Sequence, residues 1–178
     1  MAMVQLGQTV PGLDNAARIL TKAGGYRVLL PLIVVAAIWL LVRRQLHRAV
    51  AFVAITVGGR LLVDTTKAIV DRPRPGLSPH LVDVTSMSFP SGHAANAMIM
   101  FLALALIVVP RRSRLLIAAA LIAAAVIGLT RPILAVHWPS DVLGGWAIGL
   151  AWTLGCVRLY DRWMLGRPIA GTGHPNSS

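Results

Sequence analysis

The feature that most constrains this chain is a series of apolar runs, each close to the length that crosses a lipid bilayer. A spanning helix needs roughly 17 to 25 mostly apolar residues. Hydrophobic residues make up 56% of the 178 residues and charged residues 13%, which leaves too little polar surface to keep such runs in water. The sequence therefore predicts an all-α integral membrane bundle of about five transmembrane helices, at 26–42, 49–70, 94–109, 115–130 and 142–157.

The segments on either side of these runs differ from them in character. Asp14, Arg18 and Lys22 recur every four residues among apolar positions, which predicts a short amphipathic helix lying at the membrane interface. The C-terminal end is rich in Gly, Pro and Ser, which is typical of an unstructured tail. The predicted organisation is a single domain, 1–178, with an interfacial helix in 1–25, the transmembrane bundle in 26–160 and a flexible tail in 168–178.

The net charge of +11 raises the question of a nucleic-acid partner. The positive residues, however, fall mostly in short clusters between the apolar runs, and Arg and Lys beside a span are retained on the cytoplasmic side. The clusters follow the first, third and fifth runs, so they share one membrane face if every run spans. We therefore expect no nucleic-acid binding and an outer face formed by 1–25, 71–93 and 131–141. The clustered residues are Arg43, Arg44, Arg48, Arg111, Arg112, Arg114, Arg158, Arg162 and Arg167.

Ionisable residues inside the second run are unexpected, because a charge in the bilayer costs at least roughly 2.5 kcal/mol. Arg60, Asp64 and Lys67 are spaced by four and three residues, which places them on one helix face. We interpret Arg60 and Asp64 as a self-paired ladder that allows the helix to pack. Lys67 is followed by prolines that end the helix and bring Arg74 close, so these two cations predict an anion site.

A second polar stretch, 89–93, precedes the helix that we expect to start near residue 94. Free backbone N–H groups at a helix start, with Gly92 allowing close approach, form a cradle for phosphate. Ser91 and His93 would then lie beside the anion. Taken alone, the stretch also fits a simple capping turn.

The third stretch joins the last two predicted helices. His137 and Asp141 are four residues apart and can meet across the turn, and Arg131 adds a cation. A carboxylate that holds one ring nitrogen fixes the histidine tautomer and leaves the other nitrogen free to attack or to bind metal. A polar hairpin that merely caps helix ends is the alternative. All three stretches fall on the predicted outer face, and this coincidence favours a single site.

In chain order, the three stretches resemble the three-part signature of the type 2 phosphatidic acid phosphatase superfamily, which also includes bacterial acid phosphatases and vanadium-dependent haloperoxidases. The predicted spans are similar to those of its integral lipid phosphatases, and the resemblance covers about residues 26–160. The matching positions are Lys67, Arg74, Pro75, the run Pro90, Ser91, Gly92 and His93, then Arg131, His137 and Asp141.

The resemblance implies a role for each position. His137 would be the nucleophile, Asp141 would orient it, and His93 would protonate the leaving lipid oxygen before water hydrolyses the phosphohistidine. The resemblance implies neither a metal nor another cofactor. Phosphate oxygens would be bound by Lys67, Arg74, Ser91, Gly92 and Arg131.

We therefore expect a phosphatase in the cytoplasmic membrane of a bacterium, acting at the outer face on a lipid phosphate or diphosphate. Undecaprenyl diphosphate, phosphatidic acid and phosphatidylglycerophosphate are the candidate substrates. A phosphotransferase that uses the same site is the first alternative. A small transporter lined by Arg60, Asp64 and Lys67 is the second.

Two departures from the family pattern affect these expectations. Thr130 stands where the family usually has serine before the arginine, and because a hydroxyl is kept we expect activity to survive. Membrane members usually have six spans, whereas the first is missing here. A homodimer closing the gap and a gap that admits lipid sideways are both consistent with that loss. His80, in the loop 76–88, is expected to face solvent rather than to act in catalysis.

Overall fold

A computed structural model describes residues 9–76, 86–109 and 113–166, and within these ranges the chain is helical with no β-strand. The all-α prediction is therefore confirmed. Helix α4 continues into a π-helical segment, Leu104–Val108. In chain order the helices are α1 Leu13–Lys22, α2 Tyr26–Val42, α3 Leu46–Val70, α4 Gly92–Ala103, α5 Arg114–Ile133 and α6 Pro139–Leu165.

Four stretches of the described chain are long and apolar enough to cross a membrane: Leu13–Val42, which contains α1 and α2, and the helices α3, α5 and α6. The third predicted span corresponds to a shorter apolar helix, Gly92–Val108. The prediction of about five spans is thus refined to four full-length candidates around a shorter one. Helix α4 lies at the centre, packed against α3, α5 and α6.

Small residues allow α4 and α6 to approach closely. A Cβ atom added at Gly145 would lie 2.8 Å from the backbone oxygen of Ser91, and one at Gly149 would lie 2.9 Å from that of Ala95. Close backbone approach of this kind is how membrane helices associate without a hydrophobic driving force. As a result the N–H of Ser91 donates to the carbonyl of Asp141 at 2.9 Å, which joins the starts of both helices.

The amphipathic pattern near the N-terminus forms a helix, α1, as predicted. Its buried face, which includes Ala17 and Thr21, packs against the end of α5. Ala17 clusters there with Leu134 and Val136 of the turn after α5. Helix α1 therefore forms part of the wall around that turn.

Helices α2 to α6 alternate in direction and place two kinds of connection at the two ends of the bundle. We call the end where α3 and α5 finish and where α4 and α6 begin the site end, and the other the opposite end. The pairing predicted within α3 is present, since Nε of Arg60 lies 2.7 Å from Oδ2 of Asp64. Several residues discussed above lie outside the described part of the chain: His80, Arg111, Arg112, Arg167 and the predicted tail 168–178.

Candidate active site

The three polar stretches meet at the site end around one cavity of about 290 Å³. The end of α3 and the loop after it form one side, the start of α4 forms another, and the α5–α6 turn closes it. The sequence therefore identified residues that are far apart in the chain but adjacent in space. Six of the predicted site residues line the cavity: Lys67, Arg74, Gly92, His93, Arg131 and His137.

His137 lies in the turn between α5 and α6 with only 4% of its surface exposed. Its Nδ1 is 3.4 Å from Oδ2 of Asp141, and its Nε2 is 3.2 Å from Nη1 of Arg74. A guanidinium group only donates hydrogen bonds, so Nε2 is the acceptor and Nδ1 carries the proton. The unprotonated nitrogen therefore faces the cavity, as a nucleophile requires.

The protonation of His137 agrees with this tautomer. Burial lowers its pKa to about 4; the hydrogen bond to Asp141 opposes that effect, and the positive charge of Arg74 adds to it. Desolvation disfavours the charged imidazolium, which is why the pKa falls. The ring is consequently neutral at physiological pH and needs no further proton loss before it can attack.

Asp141 is fully buried in the first turn of α6, where the positive end of the helix dipole favours a carboxylate. Besides His137, three groups donate to it. Nη1 of Arg72 lies 2.9 Å from Oδ1, and the backbone N–H of Trp138 lies 2.9 Å from Oδ2. The hydroxyl of Ser88 also donates to Oδ2. This set of donors fixes the carboxylate and, through it, the orientation of the imidazole.

Backbone carbonyls hold two of the cations in place. Nζ of Lys67 donates to the carbonyls of Met87 at 2.8 Å and Pro90 at 2.6 Å. Arg74 donates to the carbonyls of Ser86 at 2.7 Å and Val136 at 2.6 Å. Burial lowers the pKa of Arg74, an effect that Asp141 opposes. Neutral acceptors thus fix both cations without cancelling their charge, so the cavity stays positive.

Arg131 is the most buried of the cavity cations, with 3% of its surface exposed. Its Nη1 donates to Oγ1 of Thr21 in α1 at 2.8 Å. Its Nε has no hydrogen-bond acceptor within the described residues. A buried charged donor without an acceptor is costly. A bound anion would supply the missing acceptor, which is consistent with phosphate binding.

The start of α4 provides the opposite wall. Gly92 lines the cavity, and a Cβ atom there would contact Cε of Lys67 at 3.6 Å. Ser91 is different: its side chain is fully buried, its Oγ has no partner among the described residues, and it is not among the residues that line the cavity. Phosphate contact by Ser91 therefore stays a prediction.

His93 is covered by the turn between α1 and α2. Cβ atoms added at Gly24 and Gly25 would lie 3.4 Å from Cδ2 and 3.6 Å from Nε2 of His93. The absence of side chains at both positions leaves room for the imidazole at the cavity wall. The N-terminal segment thus shapes the site, a role that the interfacial-helix prediction did not include.

Sequence reasoning missed three contributors to the site: Arg72, Ser88 and Thr21. Arg72 lies in the same Asp-Arg-Pro-Arg-Pro run as Arg74, but the sequence offers no way to tell that one arginine faces the cavity and the other faces Asp141. Ser88 and Thr21 reach the site only because distant segments fold together. A hydroxyl group alone does not indicate from the sequence that a residue belongs to the site.

Known proteins share this sequence pattern and fold. Residues 48–165 match the model of the PAP2 superfamily, so the chain belongs to that superfamily. It is similar to phosphatidylglycerophosphatase B of Bacillus subtilis (strain 168), with 32% identity over 146 residues, covering 79% of this chain and 71% of the relative. The crystal structure of a transmembrane PAP2 type phosphatidylglycerolphosphate phosphatase from the same species superposes with a TM-score of 0.81 at 29% identity, covering 92% of this chain and 82% of that one.

A further relative is lipid A 1-phosphatase of Rhizobium etli (strain ATCC 51251 / DSM 11541 / JCM 21823 / NBRC 15573 / CFN 42). The identity is 32% over 136 residues, covering 71% of this chain and 56% of the relative. Both curated relatives are named as phosphatases of membrane lipids. Together with the apolar helices, the family and these relatives establish this protein as a multi-pass membrane lipid phosphatase.

Proposed function

We propose that this protein hydrolyses a lipid phosphate or diphosphate through a phosphohistidine formed at His137, at the outer face of a bacterial cytoplasmic membrane. The observation that carries the proposal is the geometry of His137. Its Nδ1 is directed at Asp141, and its unprotonated Nε2 faces a cavity lined by Lys67, Arg74 and Arg131.

In the first step, Nε2 of His137 attacks phosphorus and the bond from phosphorus to the lipid oxygen breaks. The three cations stabilise the charge that spreads over the equatorial oxygens, as preorganised groups do in phosphoryl transfer. His93, on the wall of the same cavity, gives its proton to the leaving oxygen. The lipid alcohol, or the lipid monophosphate from a diphosphate, then departs.

In the second step, water attacks the phosphohistidine and the bond between phosphorus and nitrogen breaks. His93 takes a proton from that water, which restores the acid and releases inorganic phosphate. Asp141 stabilises the positive charge that His137 carries while the bond to phosphorus exists. The reaction consumes one water and uses no redox step.

The proposed sidedness depends on the exposed arginines at the opposite end. Five exposed arginines lie there: Arg43, Arg44, Arg114, Arg158 and Arg162. Arg43 also contacts the ring of Trp39. Positive residues beside spans stay on the cytoplasmic side. The site end would then face outward, where the headgroups of the outer leaflet lie.

The proposal is tested by phosphate release from the purified protein in detergent with excess EDTA. The panel comprises undecaprenyl diphosphate, phosphatidic acid and phosphatidylglycerophosphate, each with the parent and with His137→Ala. We expect release from at least one lipid by the parent and none by the variant. A folded parent that releases nothing, or a variant with full activity, would contradict the proposal. Phosphate that appears only on an added acceptor lipid would indicate a phosphotransferase.

A further inference from the structure

An apolar groove adjoins the phosphate cavity between α2, α3 and α4. Its walls include Leu29, Ile33, Val57, Ile99 and Met100. Val57 is 47% exposed on the surface of the bundle, so the groove opens sideways toward the membrane. An apolar groove that is open to the acyl region is suited to a lipid chain.

Three polar residues line both the groove and the phosphate cavity: Tyr26, Arg60 and Asn96. Any lipid whose phosphate lies in the cavity and whose chain lies in the groove must pass them. We call these three residues the junction. The junction makes the passage between the groove and the phosphate cavity polar. A plain hydrocarbon chain would need no polar contact there.

Arg60 is held in a fixed position at the junction. Its Nε donates to Asp64 at 2.7 Å, and its guanidinium lies 5.2 Å from the centre of the Tyr26 ring. The side chains of Arg60 and Asp64 are 41% and 48% exposed. Within a membrane helix, exposing this charged pair to lipid would cost free energy. Both residues instead line the polar cavity.

The junction also has hydrogen-bond donors to spare. Within the described residues, the terminal nitrogens of Arg60 and the side-chain amide of Asn96 have no protein acceptor. Arg60 lies seven residues before Lys67 on α3, which is two helical turns and about 10 Å along the axis. Its link to Asp64 directs the guanidinium back toward the site. The donors thus lie between the phosphate and the first part of the chain.

We propose that the junction is a specificity-determining element that binds the ester carbonyls of a diacylglycerol phosphate, with one acyl chain lying in the groove. In such a lipid, ester carbonyls follow the phosphate within a few bonds and match the available donors. A prenyl phosphate has only hydrocarbon at that distance. A site built to donate hydrogen bonds disfavours an analogue that lacks the acceptor, because its donors then lose their partner.

The proposal rests on the proposed function, and a matched pair of substrates tests it separately. Dioleoyl phosphatidic acid is compared with its dioleyl ether analogue, which differs only in lacking the carbonyl oxygens. We expect the parent to prefer the ester about tenfold in kcat/KM, the usual effect of a hydrogen bond from a charged donor. The double variant Arg60→Met with Asp64→Asn, which leaves no unpaired charge, should bring the ratio of the two substrates close to one.

Three further variants show which residue carries the preference. Asp64→Asn alone keeps Arg60 and should keep most of the ester preference. Asn96→Leu should reduce it without changing any charge, and it remains informative if the double variant does not fold. Arg48→Met, at the other end of the same helix, should leave both kcat/KM values unchanged.

The proposal is overturned if the parent treats ester and ether alike, if the double variant keeps the preference, or if a prenyl phosphate is the better substrate. Binding of the corresponding ester and ether phosphonates is measured in parallel. If the parent releases no phosphate from any lipid, the proposed function fails. Tighter binding of the ester phosphonate, lost in the double variant, would still support the junction, and equal binding would overturn it.

Discussion

The charged side chains that form the candidate site are buried or half-buried and hydrogen-bonded, whereas the described arginines at the opposite end are mostly exposed. Arg131 and Asp141 are 3% and 0% exposed, while Arg43, Arg114 and Arg158 lie on the surface. Removing a charge from water costs free energy that only well-placed partners or a ligand can offset. Buried and half-buried charges therefore surround the candidate site, and the exposed arginines at the opposite end support the proposed topology.

Each end also has a histidine bonded to a residue from another segment. Nδ1 of His47, at the opposite end, lies 2.7 Å from the hydroxyl of Tyr160, whereas His137 is bonded to a carboxylate and a guanidinium. The histidine at the opposite end thus contacts an aromatic residue, and the histidine at the site end contacts charged groups. The two histidines form a natural pair of variants.

The largest effect is expected for His137→Gln, because it removes the proposed nucleophile. Activity toward lipid phosphate should fall by about a thousandfold or more. His47→Gln should retain the activity of the parent, since His47 lies at the opposite end. Phosphate release from detergent-solubilised protein measures both. Similar losses of activity in the two variants would contradict the functional difference between the two ends.

Asp141→Asn should have the next largest effect, at about a hundredfold or more in kcat. An amide can donate to the imidazole and so favour the wrong tautomer, which is what the loss of such a carboxylate does in triad enzymes. Asp161→Asn, near the opposite end, is the matched control and should be close to the parent. A parent-like kcat for Asp141→Asn would show that the carboxylate does not orient His137.

Arg72→Met should lower kcat about tenfold, because Arg72 does not line the cavity and donates a hydrogen bond to Asp141. Arg72→Lys should restore part of the loss, since an ammonium group can still donate one hydrogen bond. Arg158→Met serves as the exposed control. If Arg72→Met raises KM and leaves kcat unchanged, Arg72 binds substrate instead.

The protonation of His137 gives a prediction that does not depend on substrate. Its pKa of about 4 lies below the ordinary value of 6.5, so the ring is neutral above about pH 4 and becomes charged below it. Nitrogen chemical shifts of ¹⁵N-labelled histidine, assigned with His137→Gln, should show the Nδ1–H tautomer and a midpoint near 4. Arg74→Met should raise that midpoint, because a nearby positive charge is removed. A midpoint near 6.5 in the parent would contradict the buried environment.

The smallest effect is expected for Thr130, which lies at the site end but outside the network. Its hydroxyl donates to the carbonyl of Ile127 within α5 at 2.6 Å. Thr130→Ser and Thr130→Val should both remain within about twofold of the parent in kcat/KM. Thr21→Val, which removes the partner of Arg131, should cost more. A larger loss of kcat/KM for Thr130→Val than for Thr21→Val would contradict the importance of the hydrogen bond between Thr21 and Arg131.

Much of the site was predictable because its residues belong to short local patterns. The spacing of His137 and Asp141 was enough to predict their contact, since four residues across a helix start bring the side chains together. Lys67 and Arg131 were recognisable as cations that an apolar environment does not tolerate without a reason. Arg72 and Ser88 were not predictable, because nothing local distinguishes them from other polar loop residues.

The sequence by itself determined that this is a helical membrane protein with three polar motifs at one end, because hydrophobic length and motif spacing are local properties. Only the tertiary structure decided that Arg72 and Ser88 fix Asp141, that Thr21 of α1 holds Arg131, and that Arg74 faces Nε2 of His137. These contacts join residues separated by 53 to 110 positions, so packing rather than local pattern places them. The chemistry of a buried charge depends on its neighbours in space, and that is why the tautomer and pKa of His137 emerged only from the fold.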